Sequence, residues 1–322
     1  MEVRKDRERL VKIMELQAKK RRSGIGKYMR NHIWLYVLIL PGVLYLLIFK
    51  YIPMLGVVIA FQDYSPYLGF LKSPFVGLAH FRNFFTGHDF GMLLRNTLSL
   101  SILSLILGFP LPIIVALLLN ELKSQGYKRT IQTLIYVPHF VSYVIVASLT
   151  YTLFNINDGI VHEFMQMITG KSIDVLSSPQ YFKTLIIGQS LWKETGYGTI
   201  IFLAALSGVD QELYDAAKVD GAGRWRLMWH ITLPAIRSTI VIMLILKVGS
   251  ILNTGYEQIF LMRNDLNRSV SEVFDTYVYT KGITQGQYSL STAAGIFKSI
   301  VSAVMIVSAN KIARKCGESG IY

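Results

Sequence analysis

Apolar runs of roughly 20 residues, the length that crosses a bilayer as a helix, recur along this chain and alternate with polar stretches. Six spans are predicted, at about Ile33–Phe49, Thr97–Leu119, Thr130–Phe154, Thr184–Gly208, Ser238–Met262 and Ser291–Ile312. Pro53 and Gly56 close the first, and Gln62-Asp63-Tyr64 marks emergence into water. Pro110 and Pro112 are tolerable inside the second because neighbouring helices satisfy the freed carbonyls. The third opens with Tyr136-Val137-Pro138-His139-Phe140, and the fourth is expected to be interrupted at Trp192-Lys193-Glu194-Thr195-Gly196. Between the first two spans, Phe81, Phe84 and Phe85 fit an interfacial aromatic belt. The predicted fold class is an all-α membrane protein. Its six-helix domain covers residues 33–312, between a basic tail of residues 1–32 and a short tail of residues 313–322.

Charge orients these spans. The 322 residues are 52% hydrophobic and 16% charged, well below the charged share of about 25% in soluble domains. The formal net charge is +13. In a soluble chain that excess suggests nucleic acid; between membrane spans it marks cytoplasmic flanks, so no nucleic-acid partner is expected. Of the 33 lysines and arginines, roughly 21 fall in the two tails, the second loop and the loop of residues 209–237, and roughly 8 in the other three loops. Both termini and loop 209–237 are therefore expected on the cytoplasmic side of a bacterial plasma (inner) membrane. Leu10, Met14 and Gln17 at helical spacing, followed by Lys19-Lys20-Arg21-Arg22, fit either a helix lying on anionic lipid or a solvated tail. The first apolar run is too long for a cleaved signal, contains Pro41 and lacks a small-residue cleavage site. The one cysteine, Cys316, cannot form an internal disulfide.

No catalytic constellation is present. The six histidines are scattered without paired ligand spacing, so no metal site is expected, and His139 reads as a packing or hydrogen-bonded side chain. There is no phosphate-binding G-x-x-x-x-G-K-[ST] run, so any ATP-derived energy must come from a partner. Charged residues inside spans are costly and are by default candidates for a pathway. Trp192, Lys193 and Glu194 on the fourth span and Asn253, Tyr256 and Glu257 on the fifth form such a set, with Lys247 and Lys298 nearby. Hydrogen-bonding groups mixed with aromatics suit a hydroxyl-rich solute, and inter-helix pairing is the competing reading of each residue.

The stretch Tyr214–Pro234, YDAAKVDGAGRWRLMWHITLP, is polar and basic although it lies between two apolar spans. Asp215-Ala216-Ala217 leads to a break at Asp220, Gly221 and Ala222, and Ile231 and Leu233-Pro234 follow. Small residues let a helix lie close to another surface, Gly221 permits a sharp turn, and Pro234 ends or kinks the second helix. This stretch resembles the cytoplasmic coupling loop of ABC importer permeases, in which E-A-A is followed by G and later by I and L-P. Asp215 stands where that family usually has Glu, which keeps the charge and shortens the reach. Further blocks, LPGVLYLLIFKYIPMLGVVIAFQDY, YVPHFVSYVIVAS, SLWKETGYGTIIFLAAL and FDTYVYTKG, look like the polysaccharide-type (LplB-like) branch of the carbohydrate uptake permeases.

The resemblance implies a type I importer fold, as in the maltose importer, and uptake of oligosaccharides. It implies a second permease, a dimer of ATPase subunits that holds the ATP and Mg, and an extracytoplasmic solute-binding protein. It also implies that Asp215, Ala216, Ala217, Asp220, Gly221, Ala222, Ile231 and Pro234 couple this chain to the ATPase. No cofactor is expected on the chain itself. A membrane-embedded transferase would need an acidic or metal-binding cluster that the sequence lacks. A proton-coupled transporter would usually show inverted repeats, and neither class accounts for the loop.

Overall fold

A peptide group inside a bilayer has no water to bond, so a spanning segment must satisfy its backbone internally. The computed structural model describes residues 28–318, 320 and 321, and nearly all of its regular structure is helical. Among the described residues the extended pairing is confined to one isolated bridge between Gln62 and Phe75. The expectations placed on Leu10, Met14, Gln17 and Lys19–Arg22 lie outside the described residues.

The chain divides into two units, Met1–Val58 and Ile59–Tyr322. Helix α1, Ile33–Phe61, supplies most of the described part of the first. It continues through Pro53 rather than stopping there. A π-helical turn at Leu47–Tyr51 precedes the proline, and the helix tightens to 3₁₀ geometry over Leu55–Phe61. Proline removes one i to i−4 hydrogen bond, and a wider turn just before it absorbs the mismatch.

The second unit begins with the short helix α2, Ala79–Thr86, followed by the long α3, Phe90–Asn120. Pro110 sits at a joint in α3, where a first-turn proline costs no hydrogen bond. The third expected span is not one helix. α4, Gln125–Tyr136, passes into a 3₁₀ turn at Val137–Phe140, and α5, Tyr143–Phe154, leaves at 96°. Pro138 cannot donate, and Ser142 starts the new helix by accepting from the Ile145 amide at 3.3 Å. After α6, Ile160–Thr169, the opposite correction applies: α7, Pro179–Ser207, runs unbroken through Trp192–Gly196. Lys193 and Glu194 find carbonyl and side-chain partners, so the backbone keeps its own ladder.

The expected fifth span is also divided. α8, Gln211–Val219, and α9, Arg224–Ala235, form the polar loop. α10, Arg237–Gly249, follows α9 after a 61° bend, and a non-helical stretch then separates it from α11, Tyr256–Met262. α12, Phe274–Tyr279, and α13, Tyr288–Lys315, complete the chain. By length and apolar composition, α1, α3 and α13 suffice to cross a membrane among the described residues, and the bent pairs α4–α5 and α9–α10 raise the number to five. The remaining expected span, α7, is about 43 Å long at 1.5 Å per residue but carries Lys183, Lys193 and Glu194.

Two apolar clusters bracket the middle of this unit. Leu100, Phe182, Ile186, Ile187, Ile259 and Met262 join α3, α7 and α11. Ile113, Ala116, Phe202, Leu206 and Ile236 join α3 and α7 to the start of α10, beside the polar loop. Of the aromatic group of α2, Phe84 belongs to the core. Phe84 is fully buried among Phe90, Phe274, Tyr277 and Phe297, with ring centroids 5.2–6.1 Å away. Its neighbour Phe85 stays half exposed.

The closest backbone approach is at Gly196 on α7, where a Cβ would lie 1.8 Å from the Ile135 carbonyl oxygen. Gly196→Ala is therefore expected to lower the melting temperature in detergent, through an overpacking cost of about 1–3 kcal/mol. A Cβ at Gly188 on the same helix meets nothing within 4 Å, so Gly188→Ala is expected to hold or raise it. Equal behaviour of the two variants would contradict this packing.

Candidate functional site

The close approach at Gly196 sets α7 against the turn that joins α4 to α5 and brings a charged cluster together. Lys193 is buried and donates its ammonium to the His139 carbonyl. It also lies 3.7 Å from Glu194 Oε1 and 5.1 Å from the centre of the Tyr143 ring. Glu194 Oε2 pairs with His139 Nδ1 at 2.9 Å, and Tyr143 donates to Glu194 Oε1 at 3.3 Å. The His139 imidazole stacks on Tyr197, with centroids 4.0 Å apart and planes 9° apart. A buried lone charge would be prohibitive, but a paired and hydrogen-bonded one is tolerated. His139 thus has the hydrogen-bonded role expected of it, with Glu194 as its partner.

Beside this cluster lies a cavity of about 220 Å³. Tyr143, Glu194 and Thr195 form one wall, and Ser101 and Ser104 of α3 form another. The third wall is the interruption of the fifth span, with Lys247, Ser250, Asn253, Thr254 and Gly255. Gly255 has φ +88°, a conformation open to glycine at little cost. The exposed backbone there is bolted in place. Ser101 Oγ donates to the Ile251 carbonyl, and the Thr254 amide donates to Asp275 Oδ2 at 2.9 Å. Asp275 is paired in turn with Lys298 of α13. Non-helical backbone inside a membrane protein is tolerated where it is held by protein or lines a polar cavity, and here it is held by protein and lines the cavity.

Beneath the cavity a buried amide network joins three helices. Gln258 Nε2 donates to the Ile186 carbonyl at 2.8 Å and to Gln189 Oε1 at 2.9 Å. Ser190 Oγ donates to Gln258 Oε1 at 3.0 Å, and Gln189 Nε2 to Thr150 Oγ1 at 2.7 Å. Neither glutamine was singled out from the sequence, although an amide inside an apolar run is itself a signal of an internal partner.

The six residues of the expected path do not all meet. Glu194 and Asn253 line the cavity, and Lys193 is buried behind Glu194. Glu257 is exposed and within electrostatic reach of Tyr143. Trp192 faces a separate, mostly apolar groove with Leu149, Leu153, Phe154 and Tyr181. Tyr256 packs on Phe260 and Tyr279, with centroids 5.2 and 4.8 Å away. Successive residues of a helix point 100° apart, so Trp192 and Glu194 cannot share a face.

The polar loop is a helical hairpin. Asp210 caps α8 by accepting from the Glu212 amide at 2.9 Å. At the other end the Ala222 amide donates to the Ala217 carbonyl at 2.9 Å and the Gly221 amide to that of Lys218 at 3.0 Å. With φ +77° at Gly221, this is the paired-bond glycine cap of a helix C-terminus. Asp215, Ala216 and Asp220 are exposed, whereas Ala217, Ala222 and Ile231 are half-buried. Tyr214 donates to Thr232 at 3.1 Å and so ties α8 to α9. Pro234 lies in the last turn of α9, one residue before the chain bends into α10. On this polar hairpin Leu213, Val219, Trp225 and Trp229 are left more than half exposed, a grouping that marks a protein contact.

The family profile described as binding-protein-dependent transport system inner membrane component matches residues 108–317, which contain the hairpin and most of the cavity. Protein LplB of Bacillus subtilis is 59% identical over 90% of this chain and 91% of its own length. The polygalacturonan/rhamnogalacturonan transport system permease protein YteP of the same organism is 53% identical over 90% of each chain. A solved bacterial alginate ABC transporter, in complex with an alginate pentasaccharide-bound periplasmic protein, contains a chain that is 37% identical. It superimposes with a TM-score of 0.84 over 92% of this chain and 99% of that one. Fold, hairpin and full-length similarity agree: the chain belongs to the binding-protein-dependent transport system inner membrane component family and is an all-α permease subunit of an ABC importer with the type I fold, not an enzyme.

Proposed function

We propose that this permease forms half of the membrane passage for an oligosaccharide handed over by an extracytoplasmic solute-binding protein. A second, different permease supplies the other half, and a dimer of ATPase subunits holds the ATP and Mg. The observation that carries the reading is the polar cavity at the interrupted fifth span, where hydroxyl and amide side chains surround a broken helix. The transport functions of YteP and of the alginate importer support the solute class. The permease domain is residues 33–312, with the coupling loop at 209–237 and tails at 1–32 and 313–322.

Coupling follows from the connectivity. The two helices that flank the hairpin both reach the cavity: α7 runs from Glu194 to Ser207, and α10 from Arg237 to Gly249. Each of these segments covers about 20 Å at 1.5 Å per residue. A helix is stiff over that length, so a shift of the hairpin at the ATPase moves two cavity walls together. Asp215, Ala216, Ala217, Asp220, Gly221, Ala222, Ile231 and Pro234 shape the docking element, and Leu213, Val219, Trp225 and Trp229 supply its apolar contact. The passage itself is assigned to Glu194 and Asn253, with Lys193 holding Glu194. Glu257, Trp192 and Tyr256 stand at its margins.

Three experiments test this reading. A Cβ at Gly221 meets nothing within 4 Å, so Gly221→Leu acts through its backbone, at about 1–2 kcal/mol for the left-handed conformation. It is expected to leave the complex assembled while uptake falls, and Gly221→Asn, which tolerates that conformation, is expected to recover much of the loss. Normal uptake in Gly221→Leu would contradict the assignment.

In the assembled importer, Glu194→Gln is expected to lower transport per complex. Lys193→Met, which removes the partner of the His139 carbonyl, is expected chiefly to lower assembly, with a cost of about 1–3 kcal/mol. If Glu194→Gln also acts only on assembly, the cluster is packing and the path lies elsewhere.

The charge distribution of the loops supports a cytoplasmic position for both termini in a bacterium, on the side where the hairpin would meet the ATPase. Cys316 is exposed. A membrane-impermeant thiol reagent is expected to label it in lysed cells and not in intact ones; labelling of intact cells would reverse the orientation.

A further inference from the structure

The charges around the cavity almost all cancel. Among its lining residues the titratable groups are Tyr143, Glu194 and Lys247. Both oxygens of Glu194 are engaged: Oε2 by His139, and Oε1 by Tyr143 and by Lys193 at 3.7 Å. Behind the interrupted span, Asp275 is matched by Lys298. Glu257 and Lys247 are both exposed and neither has an ion pair among the described residues, but Glu257 lies outside the lining. Within the lining, Lys247 alone is an unpaired charge. Among the described residues no carboxylate lies within 4.0 Å of its ammonium, and its side chain makes no hydrogen bond; only its backbone is bonded, within α10 and to Ser250. Its place in the last turn of α10 favours a cation through the helix dipole, but that leaves the ammonium donors unspent. A lysine inside a span is costly, and among the described residues no partner in this chain offsets it. A second group in the same lining is also unspent: Thr195 Oγ1 is buried and has no hydrogen-bond partner.

We propose that Lys247 is the charge-selecting residue of this cavity and that the solute it favours is an acidic oligosaccharide, bearing carboxylates among its hydroxyls. The proposal rests on the oligosaccharide reading above and names its class. A carboxylate of the solute receives the Lys247 ammonium, and a neighbouring hydroxyl is bound by Thr195 and Asn253. Lys193 cannot serve in this way, because its ammonium is turned to the His139 carbonyl and screened by Glu194. The lining therefore presents one unpaired positive charge, Lys247, on a hydroxyl-rich wall, with the unpaired Glu257 outside it. A carboxylate that enters regains at Lys247 part of what it loses by leaving water.

The test compares trigalacturonate with its fully methyl-esterified form, which has the same backbone without the charge. Uptake is measured per assembled complex in proteoliposomes holding this permease, its partner permease, the ATPase and the binding protein. Lys247→Met is expected to lower trigalacturonate uptake about ten-fold more than uptake of the ester, the effect of 1.4 kcal/mol. Lys247→Arg is expected to recover most of that loss. Equal losses for both solutes, or no loss for either, would overturn the proposal. Where the wild-type importer carries only the acid, the pair of variants decides: recovery by arginine supports charge selection, and an equal loss in both overturns it. Preference of the wild type for the ester would overturn charge selection and leave the oligosaccharide reading standing. Transport of neither solute would remove both.

Discussion

A helix that stops inside a membrane strands its last carbonyls and first amides where water cannot reach them, and the structure is arranged around one such stop. Between Gly249 and Tyr256 the fifth span unwinds, and every neighbouring element contributes to holding it. Ser101 reaches over from α3, Asp275 from α12 bonds Thr254, and Lys298 from α13 fixes Asp275. Gln258, just past the break, is wired to α7 and through Gln189 to α5. Each bond answers a backbone or side-chain group that would otherwise cost about 1–3 kcal/mol or more to bury unpaired. The result is a rigid rim around a cavity instead of a frayed helix.

The same requirement explains the charges. Lys193 and Glu194 sit mid-helix on α7, yet the helix does not break, because a turn interrupted by Pro138 lies against it and presents a carbonyl and an imidazole at the right height. Gly196 makes that contact possible by omitting a side chain. The interruption of the third span and the continuity of the fourth are therefore one event: the free groups of one helix satisfy the charges of the other. A site built this way is pre-organised, and its remaining unsatisfied groups, the Lys247 ammonium and the Thr195 hydroxyl, stand out against a neutralised background.

Transmission depends on stiffness rather than on chemistry. The hairpin is closed by a glycine cap at one end and by the Tyr214–Thr232 bond across it. An apolar cluster of Ile113, Ala116, Phe202, Leu206 and Ile236 clamps its roots. Arg237, at the start of α10, is also paired with Glu318 of the C-terminal tail at 2.5 Å. On the proposed coupling, a push on the hairpin is delivered along α7 and α10 instead of being absorbed in loops.

The sequence alone determined the membrane class, the approximate positions of the apolar segments and the hairpin with its glycine turn. Those features follow from local rules: apolar run length, the distribution of lysine and arginine, and the need for glycine where φ is positive. It also singled out Glu194 and Asn253, both of which line the cavity. It could not tell a broken helix from a whole one. Pro53 and Trp192–Gly196 looked like interruptions and are not, whereas Tyr136–Ser142 and Ser250–Gly255 looked helical and are broken. Whether a helix survives a proline or a charge depends on what another segment offers it, and that partner lies far away along the chain: Asp275 for Thr254, His139 for Lys193, Ser101 for Ile251. For the same reason only the tertiary structure separated Trp192 and Tyr256 from the cavity and left Lys247 as its uncancelled charge. Burial and pairing are properties of neighbours in space, and a linear pattern does not contain them.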